Sequence, residues 1–329
     1  MNIFCTLGPA SLNKKFLTFV EKKKYIVSLV RINLSHVKAQ DIKKTVNFIR
    51  KYCSIPICID TEGAQIRAKV NTKSKKKIIK KNNYFYLNQD KGYFNLYPQK
   101  IFRLIKKNDI LNIGFEGLLG KVIKRKKNII RLKALSGGIL ENNKGVHVEN
   151  RDIKIDFLTD KDKKSIEIGK ELNIRNYALS FTNTLSDLRS FQKLLPKSNK
   201  IFKIESEKAV RNIKVFFKYE CNFLIDRGDL SKSVGIEKIP VIQRDILKSS
   251  RNNKINISIA TNFLESMIEK PYPTRAEVND VYNALEMGAK NLVLAGETAI
   301  GKYPEECIEL LERIIKTFKK FGKKISEKN

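Results

Sequence analysis

The chain has 329 residues, 42% of them hydrophobic and 30% charged, enough to bury one large core or two modest ones. Its formal net charge is +32, and no run approaches the eighteen uninterrupted apolar residues of a membrane span. Lysine outnumbers arginine more than threefold, which reads as compositional drift over solvated helix faces rather than as a nucleic-acid surface, where Arg and interleaved aromatics are favoured. In chain order, NIFCTL, YIVSLVRINL and IPICID predict three strands, with helices over 12–24 and 37–53 between them. NYALSF, NKIFKI, NFLID, INISIA and NLVLAG predict five more strands, interleaved with helices over 160–173, 184–195, 206–219, 237–252, 274–288 and 304–321.

Eight near-continuously apolar strands, each followed by a helical or inserted segment, are the pattern of an α/β fold, a (β/α)8 TIM barrel. The rhythm breaks after the third strand, where short alternating pieces (NYFYLN, KNIIRLK, KGVHVE) predict a small inserted β domain, a lid. The expected organisation is barrel over 1–68, lid over 69–150 and barrel again over 151–329. Five scattered cysteines with no CxxC pair suit reduced thiols, and MNIFCTLGPAS lacks the layout of a secretory signal, so a cytoplasmic location is expected. His36 and His147 do not form a metal or catalytic pair on spacing.

Polar residues gather where the predicted strands end, the face on which barrels of this type carry chemistry. Strand two ends in Arg31, Asn33 and Ser35, which alternation places on one side. Strand three ends in Asp60-Thr61-Glu62-Gly63, strand five in Lys203-Ile204-Glu205, strand six in Asp226-Arg227-Gly228-Asp229, and strand seven in Thr261. Singly, each of these is as well explained by a helix cap or an ordinary ion pair. Together, Glu205 and Asp229 on neighbouring strands suit one Mg²⁺, with Lys203 and Arg31 facing an anionic substrate and the turn at Gly228 offering free backbone N–H groups.

In family order, the pieces CTLGPAS, RINLSH, IDTEGAQIR, KGVHVEN, FKIES, RGDL with IEKIP, ATNFLESMIEKPYPTRAEVNDVYNA and LAGETAIGKYPEE resemble the pyruvate kinase family. The resemblance covers the barrel and a shortened lid but not the family's C-terminal regulatory domain, which is expected to be absent. It implies phosphoryl transfer from phosphoenolpyruvate to ADP, giving pyruvate and ATP as the last step of glycolysis, with Mg²⁺ and K⁺ as cofactors. It further implies Lys203, Thr261 and Arg31 as catalytic residues, and Arg31, Lys203, Gly228, Asp229 and Thr261 as substrate contacts. Arg67 and Lys144 match nucleotide contacts, Glu205 and Asp229 the Mg²⁺ ligands, and Asn33, Ser35, Asp60 and Thr61 the K⁺ ligands.

The chain also departs from the family pattern. Glu62, Ala64 and Gln65 stand where the family carries lysine, proline and glutamate. Gln65 removes a charge associated with K⁺ dependence. Asp226 stands where the family has alanine, adding a carboxylate near the expected place of the substrate's own, and Ser231 replaces a glycine. Two alternatives remain at this level: a non-catalytic relic that binds a partner such as RNA, and a metal-dependent pyruvate-enolate lyase on the same barrel. Composition argues against a membrane partner and, despite the net charge, against nucleic acid, and a homo-oligomer through the barrel is left open.

Overall fold

The computed structural model describes residues 1–326 other than 74, 90, 91, 115, 116, 152 and 220. Eight parallel strands close into a barrel: β1 (Asn2–Leu7), β2 (Val27–Asn33), β3 (Ile57–Asp60), β4 (Asn176–Leu179), β5 (Asn199–Ile204), β6 (Asn222–Asp226), β7 (Ile257–Ala260) and β8 (Asn291–Leu294). They neighbour one another in chain order, and β1 closes on β8. Between β3 and β4 lies a seven-stranded sheet whose strand pairs are all antiparallel, with a two-stranded ribbon formed by Lys76–Ile79 and Gly138–Glu141. The architecture is thus a (β/α)8 barrel carrying an inserted β domain.

Contacts divide the chain into two compact units, Met1–Gly63 with Asp160–Asn329, and Ala64–Thr159. The inserted unit has its own core, in which Phe85, Phe94, Phe102, Leu111 and Leu132 are fully buried. The barrel is filled by a cluster to which every strand contributes one residue: Phe4, Leu29, Cys58, Ala178, Ile201, Leu224, Ala260 and Val293. This cluster sets what lies above it. Side chains alternate along a strand, so the residue two positions on from a cluster member points into the barrel again. From Phe4, Leu29, Cys58, Ala178, Ile201 and Leu224 that step reaches Thr6, Arg31, Asp60, Ser180, Lys203 and Asp226, all buried and all polar.

The predicted helices form over Lys14–Lys22, Ile42–Tyr52, Asp160–Glu171, Leu185–Leu194, Ile239–Asn252, Arg275–Glu286 and Pro304–Ser326. The helix expected over 206–219 is broken into Glu207–Arg211 and Ile213–Phe216, because Asn212 turns out of helical geometry and its side-chain amide donates to the Asn183 carbonyl. Among the described residues, the short helices Ile101–Leu104 and Gly296–Ala299 and the longer Arg227–Val234 were not foreseen; the sequence of the last, RGDLSKSV, carries a glycine and two serines and shows little apolar periodicity.

A buried anchor fastens the last helix to the start of the chain. Glu312 is 4% exposed and accepts from Lys23 at 2.8 Å and from the Tyr25 hydroxyl at 2.6 Å. Burial opposes its charge, yet hydrogen bonds from Lys23, Lys316 and Tyr25 outweigh that and bring its carboxyl down to about 2. A depressed folded pKa stabilises above the unfolded value near 4.5 and is lost as pH falls toward 2. Glu312→Gln is therefore expected to cost about 2 kcal/mol at neutral pH. The difference from the unsubstituted protein should shrink in urea melts performed progressively below pH 4.5.

Candidate active site

Lys203 lies at the centre of the barrel mouth. It stands on β5, two residues past Ile201 of the interior cluster, and is 4% exposed. Its ammonium is 2.7 Å from Glu205 Oε1 and 3.3 Å from both Asp60 Oδ2 and Asp226 Oδ2, with the Ser180 hydroxyl at 3.2 Å. Burial works against the charge, but the three carboxylates outweigh it and hold the ammonium above its ordinary range. The placement of Lys203 and Glu205 on one side follows from their spacing of two, Glu205 being the first residue beyond the strand.

Arg31 extends the network from β2. Its Nη1 is 3.1 Å from Asp60 Oδ2, and its Nε donates to the Thr6 hydroxyl at 3.0 Å. That hydroxyl in turn donates to the Leu294 carbonyl. Asp60 is fully buried and joins the two cations, its other oxygen accepting from Ser180. Thr61 fixes the neighbouring backbone: its hydroxyl accepts from the Ser180 N–H and its N–H donates to the Ala178 carbonyl. Gly63 makes this turn sterically feasible. It adopts φ +69°, and a Cβ there would come within 2.3 Å of the Ser180 carbonyl oxygen.

The acidic side is made by Glu205, Asp226 and Asp229, each offering a carboxylate oxygen within 4.8 Å of the others. Glu205 is 1% exposed; its Oε2 accepts from the Phe181 N–H at 2.6 Å, while its Oε1 makes no hydrogen bond of good direction. Burial pushes its carboxyl up to about 8, Lys203 opposing and Asp226, Asp229 and Asp60 adding to the rise. Asp226 goes the other way. Burial disfavours its charge too, but Lys203 and Arg31 prevail and lower it. Asp226 turns its carboxylate toward Lys203, 3.3 Å away. A set of carboxylate oxygens at this spacing, one of them lacking a directional donor, fits a hard divalent cation.

Two expectations change at strand six. Asp229 does not sit on the strand; it lies in the first turn of the helix Arg227–Val234 and pairs with Lys232 at 2.9 Å. The N–H of Gly228 is not free either, because it donates to the Thr261 hydroxyl at 2.8 Å. Strand passes directly into helix here, so the chain forms no open turn. Thr261 itself adopts φ +73°, a left-handed backbone that a β-branched residue rarely takes. Arg227 holds it: the guanidinium donates to the Thr261 carbonyl, pairs with Asp280 at 2.6 Å and lies 4.3 Å from the Phe263 ring centroid.

Of the other residues singled out, Asn33 accepts from the Ser35 N–H at 2.9 Å, beside Asp60 in strand register. Glu62 pairs with Lys161, and Asp162 accepts from the N–H groups of Glu62 and Gly63. Arg67 and Lys144 belong to the inserted unit, on neighbouring segments: the Ala68 N–H donates to the Lys144 carbonyl, and Arg67 reaches the Asn143 carbonyl at 3.0 Å. Glu297 of the GETAIG segment is 2% exposed and accepts from the N–H groups of Leu264 and Ala295, clipping the loop after β7 to the end of β8. Thr6, Ser180 and Phe181 take part without having been anticipated, and Arg227, noted at the end of strand six, braces Thr261.

Residues 1–308 match the family model for the pyruvate kinase barrel domain. Pyruvate kinase of Thermotoga maritima is 30% identical, over 97% of this chain and 71% of the relative. That of Buchnera aphidicola subsp. Schizaphis graminum is 34% identical, over 95% of this chain and 69% of the relative. Among solved structures, that of Cryptosporidium parvum pyruvate kinase superposes with a TM-score of 0.85 at 25% identity, covering 95% of this chain and 69% of its own. A barrel with its charged mouth, a match across nearly the whole of this sequence and a close superposition agree: the chain belongs to the pyruvate kinase family.

Proposed function

We propose that this protein transfers a phosphoryl group from phosphoenolpyruvate to ADP, giving pyruvate and ATP. One observation carries the reading: a buried ammonium, Lys203, is held against the carboxylates of Glu205 and Asp226 at the mouth of the barrel. Phosphoryl transfer demands positioning and neutralisation of the oxygens in flight more than covalent help. Lys203 and Arg31 supply fixed positive charge, and Asp60 fixes their mutual position. Glu205 and Asp229 would hold Mg²⁺, which when bound neutralises phosphate charge. The Thr261 hydroxyl, aligned by the Gly228 N–H, serves the proton that the enolate must gain, through water because a hydroxyl is a weak acid unaided.

In this proposal Arg67 and Lys144 are nucleotide contacts. Asn33, Ser35, Asp60 and Thr61 form the monovalent-cation site. A cytoplasmic location is part of the same reading. It is supported by cysteines that are all free and by the lack, among the described residues, of any helix long and apolar enough to cross a membrane.

The test is a coupled assay with phosphoenolpyruvate, ADP and Mg²⁺ across a series of K⁺ concentrations. ATP formation is expected, and with glutamine at position 65 the rate should change little when Na⁺ replaces K⁺. No ATP at any K⁺ concentration would overturn the reading.

A further inference from the structure

Residues 64–159 carry 23 lysines and arginines against seven acids, so under a third of the chain holds half of its net charge. Composition alone reads that charge as drift, but the inserted unit sorts part of it onto one face of its seven-stranded sheet. Three neighbouring strands, Tyr84–Asn88, Ile129–Ala134 and Leu118–Arg125, bury Phe85, Leu87, Ile130, Leu132 and Val122 completely. Alternation turns Tyr84, Tyr86, Arg131, Lys133 and Lys121 to the other side, and a bulge sets Lys124 opposite Arg131. Strand register arranges these in two rows: Tyr86 beside Arg131 beside Lys124, and Tyr84 beside Lys133 beside Lys121. None of the three strands contains an acidic residue.

We propose that this face binds single-stranded nucleic acid, the cations holding phosphates and the tyrosines stacking on bases. Tyr84 and Tyr86 are 47% and 44% exposed, open enough for a base to lie against either ring. The Arg131 guanidinium lies 3.8 Å from the Tyr84 ring centroid, and its Nε, though enclosed, has no hydrogen-bond partner. Past the sheet edge the pairing of ring and cation recurs: the Tyr86 N–H donates to the Tyr93 hydroxyl at 3.3 Å, and the Lys77 ammonium lies 3.7 Å from the Tyr93 ring centroid. Among the described residues, the ion pairs of this unit (Lys76 and Lys144 with Glu141, Lys100 with Asp156, Arg151 with Asp109) leave Lys121, Lys124, Arg131 and Lys133 without a carboxylate. Charge of one sign attracts any polyanion, but rings set between cations select unpaired bases. A duplex keeps its bases within its own stack and makes no use of the rings.

The full chain is titrated against labelled oligouridylate and oligothymidylate of about 12 nucleotides, followed by fluorescence anisotropy in about 50 and 200 mM KCl. Binding is expected at the lower salt and should weaken as salt rises. Tyr84→Ala combined with Tyr86→Ala should weaken it at least about fivefold, because base stacking is lost while every charge stays. Lys121→Gln with Lys124→Gln should weaken it as well and flatten the salt dependence. Lys43→Gln with Lys44→Gln removes the same charge from the exposed face of the helix Ile42–Tyr52 and should change binding far less. Circular dichroism confirms that each variant is folded. The proposal falls if neither oligonucleotide binds, if the tyrosine pair variant binds as tightly as the unsubstituted protein, if the two lysine pairs weaken binding equally, or if a duplex of the same length competes as well as the single strands.

Discussion

Lys203→Met is expected to abolish phosphoryl transfer and to lower stability at the same time. The catalytic loss should be at least 10²- to 10³-fold, about the cost of removing one preorganised electrostatic donor. The stability loss follows from the geometry. Three buried carboxylates lie within 3.3 Å of the ammonium, and methionine gives them nothing in its place. Breaking a buried ion pair from one side typically costs about 3–5 kcal/mol. The burial of Lys203 among acids is what couples the two losses. Sign also follows: without Lys203 the folded carboxylates hold protons more tightly than the unfolded ones, so the deficit is largest at high pH and shrinks as pH falls. Thermal melts at pH 8 and pH 6, beside the coupled assay, check both parts. A variant that still turns over removes Lys203 from the chemistry, and one that melts like the unsubstituted protein at pH 8 removes it from the ion network.

The barrel was readable because its strands are short apolar runs covered on both faces, and such runs mark themselves in composition. The charged members of the site were readable for a related reason. Arg31, Asp60, Lys203 and Asp226 each interrupt an apolar run at its end, which no core residue does without cause. Thr6 and Ser180 occupy the same layer by the same step of two, but small hydroxyls pass as ordinary strand residues until the cluster beneath them is known. Asp229 was assigned to a strand because RGDL shows no helical period, although the helix it opens begins at once. The Asp162 carboxylate meets the backbone of Glu62 and Gly63 from a hundred residues away, and no local pattern encodes that meeting. The same holds for Arg227, whose hold on Thr261 depends on Asp280 in a separate helix.

Asp60 should prove as sensitive as Lys203, and for the complementary reason. It has no solvent exposure, and one of its oxygens lies 3.1 Å from Arg31 and 3.3 Å from Lys203. It is thus the shared anion between two buried cations that would otherwise repel. Asp60→Ala leaves Arg31 without an acidic partner and is expected to cost about 3–5 kcal/mol. Both cations remain present to attract an anionic substrate, so the catalytic deficit should fall on kcat more than on KM. Loss of their tether permits displacements of the order of 1 Å, enough for a loss of about 10²-fold. Asp60→Asn keeps the shape and the contact with Ser180 but not the charge, so its penalty should lie between that of alanine and none. An added anion provides the sharper check. Inorganic phosphate should raise the melting temperature of Asp60→Ala by more than it raises that of the unsubstituted protein, since it can lie between cations that have lost their carboxylate. Equal shifts in the two proteins would mean that Asp60 is not what keeps Arg31 and Lys203 together.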